Sequence, residues 1–185
     1  MRRIAHRAGI KPRDPRVVAL RRRLAITGIA LAALLLPAVQ RPPLRLVWNV
    51  SPSVPTGLYR IAPGVAPRPG DLVAVRPSPE LARFMAERQY VESGALLIKP
   101  VAAGAGATVC RYGNAVTIDG APVAIAREHD RLGRPLPRWS GCLRLGVEQL
   151  FLVAPATPGS FDSRYFGPID RAAIVGRALP VWTRP

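Results

Sequence analysis

"ATVCRYGNAVTIDGAPVAI", residues 107–125, alternates short apolar runs with turn residues and never sustains the 3.6-residue repeat of a helix. It reads as two short strands around turns. "IDGAP" (118–122) is a hairpin signal, because Asp-Gly accepts the positive φ that a two-residue turn needs. The same texture extends outward. "GALLIKPVA" (94–102) is a continuous apolar run of the buried-strand type, and "PRPGDLVAVRPS" (67–78) is a turn followed by a strand at about 71–76. "RPPLRLVWNV" (41–50) and "GLYRI" (57–61) read as short strands, with Trp48 suited to a membrane interface. Downstream, "LRLGVEQLFLVA" (143–154) reads as one strand and "AAIVGRALPVW" (172–182) as the last. A soluble helix is expected over 79–90, with Pro79 and Glu80 in its first turn and Leu81, Phe84 and Met85 on its apolar side. Neither an internal repeat nor βαβ alternation is visible. Twenty-one prolines and 16 glycines disfavour long helices, so the expectation for 44–185 is a mainly β domain with one short helix.

The formal charge of +16 is unevenly placed: residues 1–23 hold nine Lys or Arg against Asp14, half of the total. Such an arm suits nucleic acid or a membrane surface. The next 16 residues, LAITGIALAALLLPAV (24–39), carry no charge, and as a helix they would rise about 24 Å, slightly less than a bilayer core of about 30 Å. A buried core helix, a cleaved signal peptide and an uncleaved anchor all fit that stretch. The charge directly upstream favours the anchor, with residues 1–23 cytoplasmic and the rest exported, and "LLLPAVQRPP" offers no convincing small-x-small cleavage site. The anchor accounts for the basic arm, so no nucleic-acid partner is expected. Cys110 and Cys142 fall in the exported part, where they can pair or stay as two buried thiols. Two cysteines and two histidines, with His6 in the arm, do not make a zinc site, and no cofactor is expected.

Of 27 basic residues, 25 are arginine; Lys11 lies in the arm, which leaves Lys99 as the sole lysine of the exported part. Arginine supplies charge elsewhere but cannot lose its proton. Lysine after Leu96, Leu97 and Ile98 can, because burial disfavours the ammonium. A pKa near 8 instead of about 10.4 would raise the free-base fraction at neutral pH from about 1 in 2,500 to about 10%. The alternative is a strand-edge lysine whose head reaches water. A serine nucleophile needs a base within hydrogen-bond reach. His129, oriented by Asp130 or Asp119, is a second candidate, although "AREHDRLGRPLPRW" (126–139) reads as a solvated loop.

Four stretches, in order, resemble the type I signal peptidases, membrane-anchored Ser/Lys proteases that cut leader peptides at the outer membrane face. "SPSVP" (51–55) is similar to the nucleophile box, "PGDLVAV" (69–75) to the following strand and "LLIKPVAAGAGATV" (96–109) to the strand carrying the base. "SFDSRYFGPI" (160–169) with "AIVGRA" (173–178) is similar to the last box. "SVPTGLYRI", the short domain, the cysteine pair and "GRPLPRWSGC" resemble the conjugative-transfer, TraF-type branch, whose members mature a pilin subunit and in some cases join its ends. The resemblance implies Ser53 as nucleophile and Lys99 as base. It implies Ser51 with the Ser53 N–H as oxyanion hole, Ser160 as the lysine's hydroxyl partner, and Asp162 with Arg164 as a bracing pair. Ahead of Ser160, "APATPG" (154–159) departs from the family's G-D-N-R start.

The resemblance further implies a bacterial inner-membrane protein with a periplasmic catalytic domain. It would cleave an exported precursor after small residues, with a conjugative pilin as the expected substrate and a conjugation or secretion assembly as the setting. A general leader peptidase and a non-catalytic assembly factor are the competing expectations. Pro52 and Pro55 would restrict the backbone around Ser53, lowering the entropy lost in reaching the reactive geometry.

Overall fold

A computed structural model describes the backbone of residues 15–39 and 46–184, and the side chains of 15–33 and 46–184. The chain divides into two units, with the boundary between Pro43 and Leu44.

The first unit contains α1 (Pro15–Val39). Among the described residues no helix is long and apolar enough to cross a membrane. The uncharged run 24–39 is short, and the turns before it carry Arg16, Arg21, Arg22 and Arg23. The transmembrane helix expected over 24–39 is therefore not shown. The side chains of 34–39 and the first 14 residues of the basic arm lie outside the described residues.

The second unit runs β1 (Leu46–Asn49), β2 (Thr56–Ala62), β3 (Leu72–Val75), α2 (Pro79–Glu87), β4 (Leu97–Ala103), β5 (Thr108–Tyr112), β6 (Ala115–Ile118), β7 (Ala121–Ile125), β8 (Gly141–Arg144), β9 (Gln149–Leu152), α3 (Ser163–Phe166), β10 (Ile169–Asp170) and β11 (Ile174–Arg184). A seven-stranded sheet has the order β1-β2-β11-β3-β4-β9-β10, and a four-stranded sheet the order β7-β6-β5-β8. Every pairing is antiparallel. The domain is mainly β, as expected. β11 pairs with β2 along its second half and with β3 along its first, and it passes so close to β2 that a Cβ on Gly176 would lie 2.6 Å from the Ala62 carbonyl oxygen.

Three details differ from the sequence expectation. Residues 107–125 form three strands rather than two, and their second turn is the Asp119-Gly120 hairpin, with φ of 49° and 80°. Residues 143–154 were expected as one strand, but they belong to β8 and β9 in different sheets. The chain turns between them at Gly146, whose N–H donates to Gln149 Oε1 while the Gln149 N–H donates back to the Gly146 carbonyl, both at 3.0 Å. A second helix, α3, accompanies the expected one; it is a single turn capped by Asp162, too short to show periodicity. The expected helix starts at Ser78, whose Oγ accepts from the Leu81 N–H, and stops at Glu87, just before Gln89 takes a positive φ of 57°.

Three apolar clusters fill the domain. Val109, Val116, Phe151, Val153 and Tyr165 pack under the small sheet, and Val73, Val75, Met85, Leu150 and Leu152 pack under α2. The third holds Val54, Tyr59, Ile61, Ala74, Ile98 and Ala178. Burial of each large side chain there contributes about 1.5–3 kcal/mol. Val54 and Ile98 are the chain neighbours of Ser53 and Lys99, so one core fixes both positions.

Candidate active site

β4 is an interior strand between β3 and β9, buried along nearly its whole length. Lys99 therefore cannot reach water from a sheet edge, and it is 3% exposed. Its Nζ lies 2.6 Å from Ser53 Oγ and 2.8 Å from Ser160 Oγ. Ser53, 8% exposed, sits in the loop between β1 and β2, and its Oγ lies 3.2 Å from Ser51 Oγ. Two hydroxyls from distant parts of the chain thus meet one amine, and a third, that of Ser51, touches the first of them. Burial is the main influence on that amine and lowers its pKa from 10.5 to about 8; Asp162 acts in the opposite sense and Arg164 adds to the lowering. Hydroxyls can solvate an ammonium but do not neutralise it, and no carboxylate forms an ion pair with Lys99 among the described residues.

Asp162 and Arg164 sit directly behind this group, both fully buried. The guanidinium meets both carboxylate oxygens, Nε to Oδ1 and Nη2 to Oδ2, each at 2.8 Å. Nη2 also reaches the carbonyls of Thr157 at 2.9 Å, Ser160 at 3.1 Å and Ala154 at 3.4 Å, and Nη1 makes longer contacts to those of Ile125 and Pro158. Asp162 Oδ2 also accepts from the Ala154 N–H at 3.0 Å. The segment 154–159 departs from the family pattern, yet it is laced to this pair. Phe161 pins it from the other side, its ring 5.3–5.7 Å from those of Phe84, Tyr90, Tyr165 and Phe166.

The second candidate base is not assembled. His129 is exposed. Asp130 instead accepts from Tyr90 Oη and Arg134 Nε, each at 2.7 Å, and Asp119 accepts from the Thr108 N–H. Cys110 and Cys142 stand opposite each other across β5 and β8 and form a disulfide. Closing a loop of that length contributes about 3–4 kcal/mol in the chain-entropy view. Among the described residues no group of three or more His, Cys, Asp or Glu side chains could hold a metal ion.

Three buried or half-buried polar residues support the site and were missed by the sequence reading. Asn49 closes the serine loop from inside. Thr157 Oγ1 reaches the Pro52 carbonyl at 3.4 Å. Arg111 Nη1 donates to the Arg164 carbonyl at 2.5 Å, joining the small sheet to the bracing pair. Each looks like an ordinary polar residue of a strand or loop. Only for Asn49 did a signal exist, an Asn placed just before a proline-rich turn.

A family model described as signal peptidase, peptidase S26, matches residues 20–183. The chain is similar to the probable conjugal transfer protein TraF of Sinorhizobium fredii (strain NBRC 101917 / NGR234), at 42% identity over 146 residues, 73% of this chain and 76% of that relative. It is also similar to a plasmid transfer protein TraF of Escherichia coli, at 33% over 146 residues, covering 73% and 81%. A conjugal transfer protein TraF of Agrobacterium fabrum (strain C58 / ATCC 33970) is 38% identical over 147 residues, covering 73% and 81%. Among solved structures, a signal peptidase I from Enterococcus faecalis V583 matches with a TM-score of 0.37 at 20% identity, covering 61% of this chain and 97% of that one.

Proposed function

We propose a specific role for this chain, which belongs to the signal peptidase family, peptidase S26: a serine endopeptidase that uses Ser53 as nucleophile and Lys99 as base to cut a leader or pro-segment from an exported precursor. The observation that carries this is the buried Lys99 amine, 2.6 Å from Ser53 Oγ.

The chemistry follows from the contacts. Uncharged Lys99 takes the Ser53 proton as Oγ attacks the carbonyl carbon of the small residue that precedes the scissile bond of the precursor. The Ser53 N–H and Ser51 Oγ stabilise the oxyanion; one such donor contributes about 3–4 kcal/mol in the transition state. The lysine, now an ammonium held by Ser160, returns the proton to the leaving amine, and an ester on Ser53 remains. Water hydrolyses that ester to a free carboxylate and restores Ser53. An amine of the precursor attacking instead would give an amide and a ring.

The names of the relatives, conjugal and plasmid transfer proteins, support a precursor of a conjugation apparatus, of which a pilin subunit is the proposed case, over the wide substrate range of a general leader peptidase. An inner-membrane location, with residues 1–23 cytoplasmic and the second unit periplasmic, is part of the proposal. The basic arm, the uncharged run 24–39 and a disulfide-bearing domain support it. So does the exposed pair Trp48 and Trp182, with ring centroids 5.6 Å apart. The test is processing of a co-expressed pilin precursor, read by mass spectrometry, with wild type, Ser53→Ala and Lys99→Arg side by side. Cleavage by wild type alone is expected, and a product lighter by one water would add ring closure. Cleavage by Lys99→Arg would remove Lys99 as the base, and retained activity in both variants would remove the site.

A further inference from the structure

Asn49 ends β1, lies opposite Gly57 at the mouth of the serine loop, and is buried. Its Nδ2 lies 2.9 Å from the Ser51 carbonyl oxygen, 3.1 Å from that of Pro55 and 3.3 Å from that of Val54, while its Oδ1 accepts from the Ser51 N–H at 3.1 Å. Three acceptors on one side and a donor on the other allow a single orientation of the amide. Tyr59 Oη adds a second donor to the Pro55 carbonyl at 2.7 Å.

Two of these carbonyls belong to the Ser51–Pro52 and Val54–Pro55 peptide bonds, one on each side of Ser53. Each proline fixes its own φ near −65°, but it leaves ψ of the preceding residue free within the extended region. Anchoring the carbonyls of Ser51 and Val54 removes that freedom. Proline and asparagine thus act on complementary torsions, and the short segment between them is the one that carries Ser53. Leucine or alanine at 49 could not orient these planes. Aspartate would present only oxygens to three carbonyl oxygens.

We propose that Asn49 is a positioning residue for the nucleophile: its side-chain amide sets the peptide planes flanking Ser53 and thereby the aim of Ser53 Oγ at Lys99. This rests on the Ser53–Lys99 reading of the site. A residue needed only for folding would lower the melting temperature and leave turnover per folded molecule unchanged, whereas a positioning residue lowers turnover in molecules that remain folded.

The experiment uses the full chain in detergent, with a peptide bearing small residues before the scissile bond that wild type cuts. Asn49→Asp keeps the shape and loses both donors; Asn49→Ser is shorter, uncharged and the milder change, and it decides the matter where Asn49→Asp does not fold. Folded molecules are counted by circular dichroism. The expected result is a fall in kcat of about 10–100-fold with KM within about twofold of wild type. Wild-type kcat in folded Asn49→Ser, with Ser53→Ala inactive, would overturn the positioning role and leave the Ser53–Lys99 reading standing. Turnover by Ser53→Ala would overturn both.

Discussion

Two cations lie buried in the same part of the domain, Lys99 at 3% exposure and Arg164 at 1%, and their surroundings treat them in opposite ways. Arg164 has a carboxylate gripped by two of its nitrogens and five carbonyls around its two Nη atoms. Lys99 has two hydroxyls. A compensated guanidinium stays charged and holds backbone in place, which is a structural task. An amine that is buried without a carboxylate of its own is pushed toward its neutral form, which is the form a base must have. The carboxylate that could have charged the lysine is occupied: both oxygens of Asp162 are taken by Arg164. The pair therefore does two things at once. It braces the segment ending at Ser160, and it keeps a carboxylate from pairing with Lys99.

This contrast can be broken or sharpened by substitution. The largest effect is expected from exchanging the two chemistries: Lys99→Arg, a cation that cannot deprotonate, should lower precursor cleavage by about 10²–10⁴-fold, measured as initial rates on folded protein. Asp162→Ala should come next. It leaves a buried guanidinium without its carboxylate and should destabilise the domain by about 3–5 kcal/mol in urea unfolding. A loss below about 1 kcal/mol would mean that the carbonyls alone satisfy Arg164.

The third variant, Lys99→Met, should act on stability with the opposite sign. The folded-state pKa, about 8, lies below the ordinary 10.5. Below pH 8 the folded chain must hold an ammonium that burial disfavours; above about 10.5 the amine is neutral in both states and the penalty is gone. Removing the amine should therefore stabilise the protein by roughly 1–3 kcal/mol at pH 7, offset in part by the lost hydrogen bonds, and the gain should shrink as pH rises from 8 to 10.5. Denaturant unfolding at pH 6, 8 and 10 checks both the sign and the trend. The smallest effect is expected from Ser160→Ala, which removes one hydroxyl from the amine: a fall in kcat of about 5–10-fold, from roughly 1 kcal/mol of hydrogen bonding, with KM unchanged.

The legible parts of the chain were those where a local rule acts. Asp119-Gly120 announces its hairpin because few residues accept two positive φ values in succession. Lys99 stands out because the chain otherwise uses arginine for charge. The illegible parts depend on where the chain goes next. β8 and β9 look continuous because alternation does not say that the chain leaves one sheet for another at Gly146. Arg111 on β5 resembles any strand arginine until the fold brings the carbonyl of Arg164 to it from 53 residues away. The Ser53–Lys99 contact spans 46 residues and Lys99–Ser160 spans 61, so no window of sequence contains either. Resemblance to a family supplied those pairings; spacing did not. The uncharged run 24–39 was plain to see, and what lies outside the described residues there includes the side chains of its last six positions.

The central claim, that Lys99 is a base poised by burial, can be tested without any substrate. The chain has two lysines, Lys11 and Lys99, so selective ¹³C labelling of lysine gives two side-chain signals in nuclear magnetic resonance, and Lys99→Arg assigns them. Followed from pH 6 to 12, one signal should titrate at about 8 and be the one lost in Lys99→Arg. Two signals both titrating near 10.5 would contradict the account, because the buried lysine would then be an ammonium at neutral pH with no spare lone pair to take the proton from Ser53.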